Sequence, residues 1–226
     1  MVGWLFGSFV VLLLIGTPIA ASLGLAAVIT IVMSGMRVNM VVVGQTMFAG
    51  MTSYQLMAIP LFILCGNLMC DGGLSKKLVD FINLFCRKSK GALAYVTILA
   101  SAFFAAISGS SPATTAAIGG IMAPEMQKNG YDEDFSLATA AAGTLGQIIP
   151  PSVGMVSYAV LAEVSVGTLF LTGFGPGILM AIFMLIYAYI YVKKNPNIKM
   201  NGQKVTAKEA ATVFLQSIWA LVMPVI

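Results

Sequence analysis

Residues 107–116, which read Ile-Ser-Gly-Ser-Ser-Pro-Ala-Thr-Thr-Ala, form a short polar segment between two apolar runs, and no charged residue separates the runs. Ser111 followed by Pro112 predicts a helix start, with the serine as N-cap and the proline at the first helical position. The free amides and positive dipole end of that helix favour an anion such as a carboxylate. The helix ending near Ser108 leaves free carbonyls, and uncharged oxygens of this kind suit a hard cation such as Na⁺.

A second interruption, at residues 146–152, falls near the middle of another long apolar stretch. Its consecutive prolines, Pro150 and Pro151, remove two amide donors and disfavour helical geometry at the residue before them. Small residues at 113–120 and 140–143 allow two backbones to approach closely. In a membrane, backbone that leaves a helix at depth lines a cavity or lies buried in protein. The alternative is a polar segment that serves only helix packing, because serine and threonine commonly bridge membrane helices.

The composition is that of a membrane protein. The chain has 226 residues, of which 59% are hydrophobic and 9% are charged, whereas a soluble domain carries about 25% charged residues. We therefore predict an all-α integral membrane protein with several spans. The sequence contains no histidine and most acidic residues fall at loop positions, so we expect no enzyme active site. We expect no nucleic-acid partner either, because no basic soluble face is visible.

Hydrophobic periodicity, proline and glycine divide the chain into segments. Residues 4–33 are apolar apart from Gly-Thr-Pro at 16–18, so they form either one long helix or two short halves. Residues 74–88 place apolar and charged positions at helical spacing and predict an amphipathic helix on the membrane surface. The other predicted segments are a short helix near 39–50, a span at 56–70, arms at 91–107 and 112–126, a broken span at 135–162, a long span at 166–192, a lysine-rich loop at 193–208 and a further helix starting at 209–226.

The basic residues predict the topology. Eleven of the twelve lie in three groups, at 76–90, at Lys128 and at 193–208. The groups share one side if residues 91–126 enter the membrane and return, and if 135–162 and 166–192 each cross it once. By the positive-inside rule that side is the cytoplasm. Arms of about 15–17 residues are roughly 23–26 Å long, which is short for a full crossing. The pattern predicts a re-entrant helical hairpin whose tip lies near the midplane, level with the interruption at 146–152.

Several motifs resemble those of one transporter family. They include Gly-Ser-Ser-Pro-Ala-Thr-Thr-Ala-Ala-Ile-Gly at 109–119, Ala-Ala-Ala-Gly-Thr-Leu-Gly at 140–146 and Ile-Pro-Pro-Ser at 149–152. Two earlier stretches, at 16–20 and 58–64, resemble the first spans of the same family. Over essentially its whole length, the chain resembles the large membrane (M) subunit of tripartite ATP-independent periplasmic (TRAP) transporters, which are elevator-type transporters built from inverted repeats.

This resemblance implies a secondary transporter of the bacterial inner membrane, driven by a Na⁺ gradient, that imports organic acids such as C4-dicarboxylates or sialic acids. The implied partners are a small four-helix membrane (Q) subunit and a periplasmic substrate-binding (P) protein that delivers the acid. Na⁺ is the one cofactor expected. The implied Na⁺ ligands, by side chain or carbonyl, are Ser108, Ser111, Gly146, Ile149 and Pro151. The residues implied near the substrate carboxylate are Ser110, Ser111, Thr114 and Thr115.

The resemblance also divides the chain by function. The implied parts are a scaffold with the amphipathic helix at 1–90, a transport part at 91–165 with the hairpin at 91–128 and the broken helix at 135–162, and a last part at 166–226 that begins a second repeat. Family members contain that second repeat, so we expect this chain to be a partial one that cannot transport alone. Two alternatives are another Na⁺-coupled anion symporter of the same broad group and a membrane assembly subunit that does not transport.

Overall fold

The computed structural model of the protein describes residues 2–35, 39–196, 198, 212–215 and 217–218. The regular elements in those residues are all helical and no strand is present among them, which confirms the predicted all-α class. The chain forms two compact units, Met1–Ser53 and Tyr54–Ile226. The functional division at residues 90 and 165 is of a different kind and stays a prediction.

The first unit contains three helices, α1 (Val2–Leu14), α2 (Ile19–Met33) and α3 (Met40–Met51). Of the two alternatives for residues 4–33, the structure has the two separate helices, because Gly16 adopts a φ of 88° between them, which glycine does without steric cost. Thr17 Oγ1 donates to the Leu12 carbonyl at 2.8 Å across this turn. Asn39 caps α3 by accepting from the Val41 amide at 3.1 Å, and the predicted short helix is confirmed.

Most apolar side chains of the first unit are exposed. Among the described residues, α1 and α3 bury none, and α2 buries only Ser22, Ala26 and Thr30. The Thr30 hydroxyl is satisfied within the helix, where it donates to the Ala26 carbonyl at 2.7 Å. Exposure of so many large apolar side chains in three consecutive helices is typical of a segment that faces lipid or another protein. The exposure therefore agrees with a membrane location.

The second unit begins with a 3₁₀ turn (Tyr54–Met57) and continues with α4 (Ala58–Asp71), α5 (Leu74–Cys86), α6 (Ala92–Ser108), α7 (Ser111–Thr114), α8 (Gly120–Lys128), α9 (Glu133–Ala140), α10 (Val153–Leu161) and α11 (Val166–Lys194). Within the described part of the chain, two helices are long and apolar enough to cross a membrane, Tyr54–Asp71 and α11. They correspond to the spans predicted at 56–70 and 166–192. Of the predicted helix at 209–226, residues 212–215 and 217–218 are helical and the others lie outside the described residues.

The predicted amphipathic helix is α5, which packs on α6. Its buried residues recur at helical spacing and are Ser75, Leu78, Val79 and Ile82. Asp80 lies on the opposite, exposed side. Partial burial raises the pKa of the Asp80 carboxyl, and the nearby Lys76 ammonium opposes that shift. The hydroxyl of Ser217 donates to the Lys77 carbonyl at 2.9 Å and ties the described end of the chain to α5.

Residues 92–128 form the predicted helical hairpin. The first arm is α6, and the second arm is α7, a π-helical turn at Thr115–Gly119 and α8. The arms run antiparallel, since Thr97 early in α6 lies against Met126 late in α8 with Oγ1 and Sδ 3.6 Å apart. Large apolar side chains from both arms, including Phe104 and Met122, are fully buried. Beyond the hairpin, burial raises the pKa of Tyr131 to about 12.

The predicted broken helix comprises α9, a 3₁₀ segment at Ala141–Gln147, non-helical residues 148–152 and α10. The regular α-helix ends at Ala140, earlier than the predicted interruption at 146. The hairpin approaches closely at this point, since a Cβ on Gly119 would lie 2.9 Å from the Cβ of Ala140. A tighter 3₁₀ backbone follows at that point. Residues 148–152 are non-helical, and α10 forms the helix that follows them.

Candidate functional site

The tip of the hairpin is the turn between α6 and α7. Gly109 has a φ of 61° and donates its amide to the Ala105 carbonyl at 3.0 Å, which closes the end of α6. Ser110 is extended and accepts from the Ala113 amide at 3.4 Å. The predicted N-cap, Ser111, is therefore wrong by one residue. Proline is tolerated at the second position of α7 as well as the first, because neither amide has an acceptor within the helix.

Hydroxyl groups hold the two sides of this tip together. Ser108 Oγ and Thr114 Oγ1 are 2.9 Å apart, and both side chains are fully buried. Thr114 Oγ1 lies 2.8 Å from the Ser110 carbonyl, to which it donates its one proton. Ser108 therefore donates to Thr114, and Ser108 Oγ accepts from the Ser110 amide at 3.4 Å. Each hydroxyl oxygen keeps one lone pair for a further partner.

The break in the second helix has a different construction. The Pro150–Pro151 peptide bond is cis. Ser152, which is fully buried, donates to the Gln147 carbonyl at 2.8 Å and caps α10 by accepting from the Met155 amide at 3.4 Å. The carbonyls of Ile149 and Pro151 accept no hydrogen bond from the residues that the structure describes. The break therefore presents backbone oxygens that are free to take a ligand.

The tip and the break are in direct backbone contact. The Val153 amide donates to the Gly109 carbonyl at 3.0 Å. A Cβ on Gly109 would lie 2.7 Å from the Pro151 oxygen, and one on Gly146 would lie 2.9 Å from the carbonyl of Ser110. Only glycine fits at these two positions, because backbone atoms cannot move aside as side chains do. The two interruptions predicted from the sequence thus lie side by side.

A model of the family described as "Tripartite ATP-independent periplasmic transporter, DctM component" matches residues 6–226. The chain belongs to this family. The family predicted from the sequence motifs is therefore confirmed, and with it the membrane class of the chain.

Several DctM-type permeases are similar to nearly all of the chain. The isethionate TRAP transporter permease protein DctMQ of Oleidesulfovibrio alaskensis is 43% identical over 223 residues, 98% of this chain and 35% of that protein. The C4-dicarboxylate TRAP transporter large permease protein DctM of Vibrio cholerae is 38% identical over 229 residues, 100% of this chain and 49% of that protein. The ectoine/5-hydroxyectoine TRAP transporter large permease protein UehC of Ruegeria pomeroyi is 35% identical over 228 residues, 100% of this chain and 53% of that protein. The chain spans about half the length of most of these relatives, or less.

All of the predicted Na⁺ ligands in this DctM chain lie at the tip or the break. Ser108 and Ser111 flank the turn, and the other three contribute the backbone of the break. Ser111 is partly exposed, and its hydroxyl makes no hydrogen bond with any residue that the structure describes. The Ser108 hydroxyl is instead part of the buried pair with Thr114. Ser111 therefore has a hydroxyl with no hydrogen-bond partner among the described residues, while Ser108 offers only the one remaining lone pair of its buried oxygen.

The residues predicted near the substrate differ in accessibility. Thr114 is fully buried and its hydroxyl is committed to Ser108 and Ser110. Thr115 is partly exposed and packs so closely on the backbone at Gly143 that a Cβ there would overlap it. Ser152 was not among the predicted residues although it caps α10 at the break. A serine directly after two prolines and before an apolar run is an N-cap signal that identifies it.

The site is electrically neutral apart from its helix ends. Residues 108–111, 114, 115 and 146–152 are Ser, Gly, Thr, Gln, Ile and Pro, none of which titrates. No group of three or more His, Cys, Asp or Glu residues that could hold a metal occurs within the described ranges. The start of the helix at Ser111 contributes a positive dipole end and the end of α6 a negative one. An ion here would be held by hydroxyl and carbonyl dipoles, which suits a monovalent ion better than a divalent one.

Proposed function

We propose that this chain is half of a Na⁺-coupled TRAP permease that imports an organic acid across the bacterial inner membrane. A periplasmic binding protein delivers the acid, and a small four-helix membrane subunit completes the membrane complex. The family assignment supports this proposal. So do the relatives, which are named for isethionate, C4-dicarboxylates and ectoine. Each of those solutes carries an anionic acid group.

The observation that carries the proposal is the contact between two oxygen-rich helix interruptions, joined by the hydrogen bond from Val153 to Gly109. Backbone that leaves a helix at membrane depth is either buried in protein or lines a cavity, and in transporters such interruptions form the ion and substrate sites. In the proposed site, Na⁺ is bound by the Ser111 hydroxyl, the remaining lone pair of Ser108 and carbonyls of the break. The break residues in this set are Gly146, Ile149 and Pro151.

The acid group of the substrate binds next to the cation, on the other side of the tip. The helix that starts at Ser111 directs free amides towards it, and these are favourable partners for an anion. Three partly exposed residues lie at this helix start, Ser110, Ser111 and Thr115. Thr114 is buried and acts indirectly, because its hydroxyl donates to the Ser110 carbonyl and fixes its position. Bound Na⁺ attracts the anion, which couples the uptake of the two.

We further propose that the hairpin is re-entrant and moves with the broken helix as one body in an elevator mechanism. The glycine contacts support this, because Gly109, Gly143 and Gly146 each bring backbone of one segment against the other with no room for a side chain. Such contacts resist sliding, since packed interfaces do not deform continuously. The hairpin and the broken helix therefore move together, and the site between them stays intact.

Thermal stability of the purified chain tests the Na⁺ site. Na⁺ at ten times its dissociation constant should stabilise the chain by about 1.4 kcal/mol. K⁺ or choline at the same ionic strength should not. Ser111→Ala should remove most of the Na⁺-dependent rise in melting temperature, whereas the control Ser157→Ala, which removes a hydroxyl that bonds only within α10, should keep it. Equal Na⁺-dependent rises in both variants would contradict the site.

Uptake into liposomes tests the role of the chain. We expect the 226-residue chain alone to show no Na⁺-driven uptake of C4-dicarboxylates, because it spans about half of the permeases that it resembles. Na⁺-driven uptake by the chain alone would overturn the half-permease proposal. Absence of any Na⁺-specific stabilisation would favour the alternative of an assembly subunit.

A further inference from the structure

Two neighbouring cavities along α11 lie outside the tip and the break. The first has a volume of about 390 Å³ and is lined by α6, α9 and α11. Its lining is almost wholly apolar and includes Ile98, Ala138, Met180 and Phe183. The second has a volume of about 440 Å³ and lies nearer the end of α11, where Tyr131, Asp132, Tyr191 and Asn195 line it. One cavity is therefore apolar and its neighbour is polar.

An aromatic stack connects the two cavities. The Phe135 ring, which lines the apolar cavity, stacks on the Tyr191 ring, which lines the polar one, with centroids 3.7 Å apart and planes 2° apart. The Tyr131 ring also stacks on Phe135, with centroids 6.1 Å apart. Tyr187, from the lining of the apolar cavity, lies 6.2 Å from Phe135. The stack thus marks the boundary between apolar and polar surroundings.

The order of these features along α11 matches the layers of a bilayer. The helix ends at Lys193 and Lys194, which mark the membrane surface. Tyr191 lies roughly 5 Å and Tyr187 roughly 10 Å from that end, at 1.5 Å per residue, and tyrosine is enriched at this depth. The apolar cavity continues along α11 to Met180, about 21 Å from the end. The polar cavity therefore lies at head-group level and the apolar cavity at acyl-chain level.

The charges at the polar cavity indicate the kind of head group. Asp132 is the charged residue among the described residues that line it, and its carboxylate makes no capping hydrogen bond to α9. Lys194 follows Tyr191 by three positions, which places it on the same side of α11. A carboxylate in the lining, together with a lysine on the same side of α11 as Tyr191, suits a head group that carries both an ammonium and a phosphate. An anionic head group without an ammonium would leave Asp132 facing a like charge.

We propose that these cavities bind one phospholipid with a primary-ammonium head group, such as phosphatidylethanolamine. One acyl chain occupies the apolar cavity, the ammonium pairs with Asp132, and the phosphate lies towards Lys194. Phe183 and Tyr187 are each 61% exposed at the apolar cavity, so an acyl chain enters from the bilayer without unfolding any element. The lipid fills space between α6, α9 and α11 and stabilises their packing.

Native mass spectrometry of the delipidated chain in detergent, titrated with lipid, tests the proposal. Dioleoyl phosphatidylethanolamine should bind one molecule per chain, several-fold more tightly than dioleoyl phosphatidylglycerol. Ala138→Phe, which fills the mouth of the apolar cavity, should weaken the first binding event about tenfold through the loss of buried methylene groups. The matched control is Leu137→Phe, which adds a ring at the adjacent exposed position outside the cavity lining and should bind as the unmodified chain does.

The head-group contact has its own pair of variants. Asp132→Asn should remove the preference for the ammonium lipid, about a two- to fivefold change for a partly exposed ion pair. Asp134→Asn, an acidic position in the first turn of α9 that does not line the cavity, should keep it. If Ala138→Phe impairs helical content by circular dichroism, Ala138→Leu replaces it. Equal binding by Ala138→Phe and Leu137→Phe, an equal or stronger response to phosphatidylglycerol, or no retained lipid would each overturn the proposal.

Discussion

The hairpin tip and the broken helix interrupt their helices in different ways, although both restart a helix with a serine cap. Ser110 and Ser152 are both extended, and each accepts a hydrogen bond of 3.4 Å from the amide three residues on. The tip turns within two residues and is held by the buried hydroxyl pair of Ser108 and Thr114. The break extends from the end of α9 to Ser152 and is held by prolines and backbone contacts.

In the proposed site, the tip and the break therefore supply different kinds of ligand. The tip supplies the Ser108 hydroxyl, which is oriented by hydrogen bonds, and the Ser111 hydroxyl, which has none. The break supplies carbonyls such as that of Pro151, to which no described residue donates a hydrogen bond. A side chain can be changed by mutation, whereas a carbonyl can be moved only through the backbone. The tip should therefore respond to loss of hydroxyl groups, and both segments should respond to added bulk where they touch.

The largest expected effect is that of Gly109→Ala. The new Cβ would meet the Pro151 oxygen at 2.7 Å and would hold alanine at a φ of 61°, so we expect a loss of about 2–5 kcal/mol from strain and overpacking together. In Gly146→Ala the new Cβ would lie close to the Ser110 backbone, but φ at this position is not positive. We therefore expect the free energy of unfolding to fall by about 1–3 kcal/mol. Melting followed by circular dichroism measures both.

The control for these glycines is Gly120→Ala, since nothing lies within 4 Å of a Cβ there. In a helix this change should be neutral or stabilising by up to about 1 kcal/mol. Equal melting temperatures for Gly109→Ala and Gly120→Ala would contradict the close contact between the tip and the break.

The positions of both interruptions could be predicted from the sequence because proline and glycine act locally. Pro150 and Pro151 break a helix in any surroundings, and Gly109 ends one by adopting a positive φ. The N-cap could be predicted only to within one residue, since Ser110 and Ser111 are both good caps and the first turn accepts proline at either position. The local sequence thus predicts where the turn lies but not which of the two serines is the N-cap.

Other features depend on contacts between segments distant in the chain. The π-helical turn at Thr115–Gly119 and the 3₁₀ segment at Ala141–Gln147 face each other, and neither has a local sequence signal. Gly119 packs closely on Ala140, and Gly143 packs closely on Thr115. The pairing of Ser108 with Thr114 likewise requires the turn to be closed first. Ser152, in contrast, carries a local capping signal and could have been predicted.

An intermediate effect is expected for Thr114→Val. The substitution keeps the shape of the side chain but removes the partner of the buried Ser108 hydroxyl, which should cost about 1–3 kcal/mol. Thr114→Ser should restore most of that stability. Thr144→Val in the 3₁₀ segment, where the hydroxyl is exposed and bonds only locally, should change the melting temperature little. Equal melting of Thr114→Val and Thr144→Val would show that hydroxyl pairing does not hold the tip.

The smallest effects should come from the two serine caps, and they compare the tip and the break most directly. Ser152→Ala removes the cap of α10 and also the 2.8 Å hydrogen bond to the Gln147 carbonyl, and Ser152 is fully buried. We therefore expect the free energy of unfolding to fall by about 1–2 kcal/mol. Ser110→Ala loses only the cap at a partly exposed position, and about 0.5–1 kcal/mol is expected.

The order of these two losses decides which interruption depends more on its serine. Na⁺ makes the test sharper, because neither capping hydroxyl belongs to the proposed cation ligands. Both alanine variants should therefore keep the Na⁺-dependent rise in melting temperature that Ser111→Ala loses. A larger loss of stability for Ser110→Ala than for Ser152→Ala would contradict this comparison. It would show that the tip depends on its Ser110 cap more than on the Ser108–Thr114 pair, and that the break depends less on its serine than the tip does.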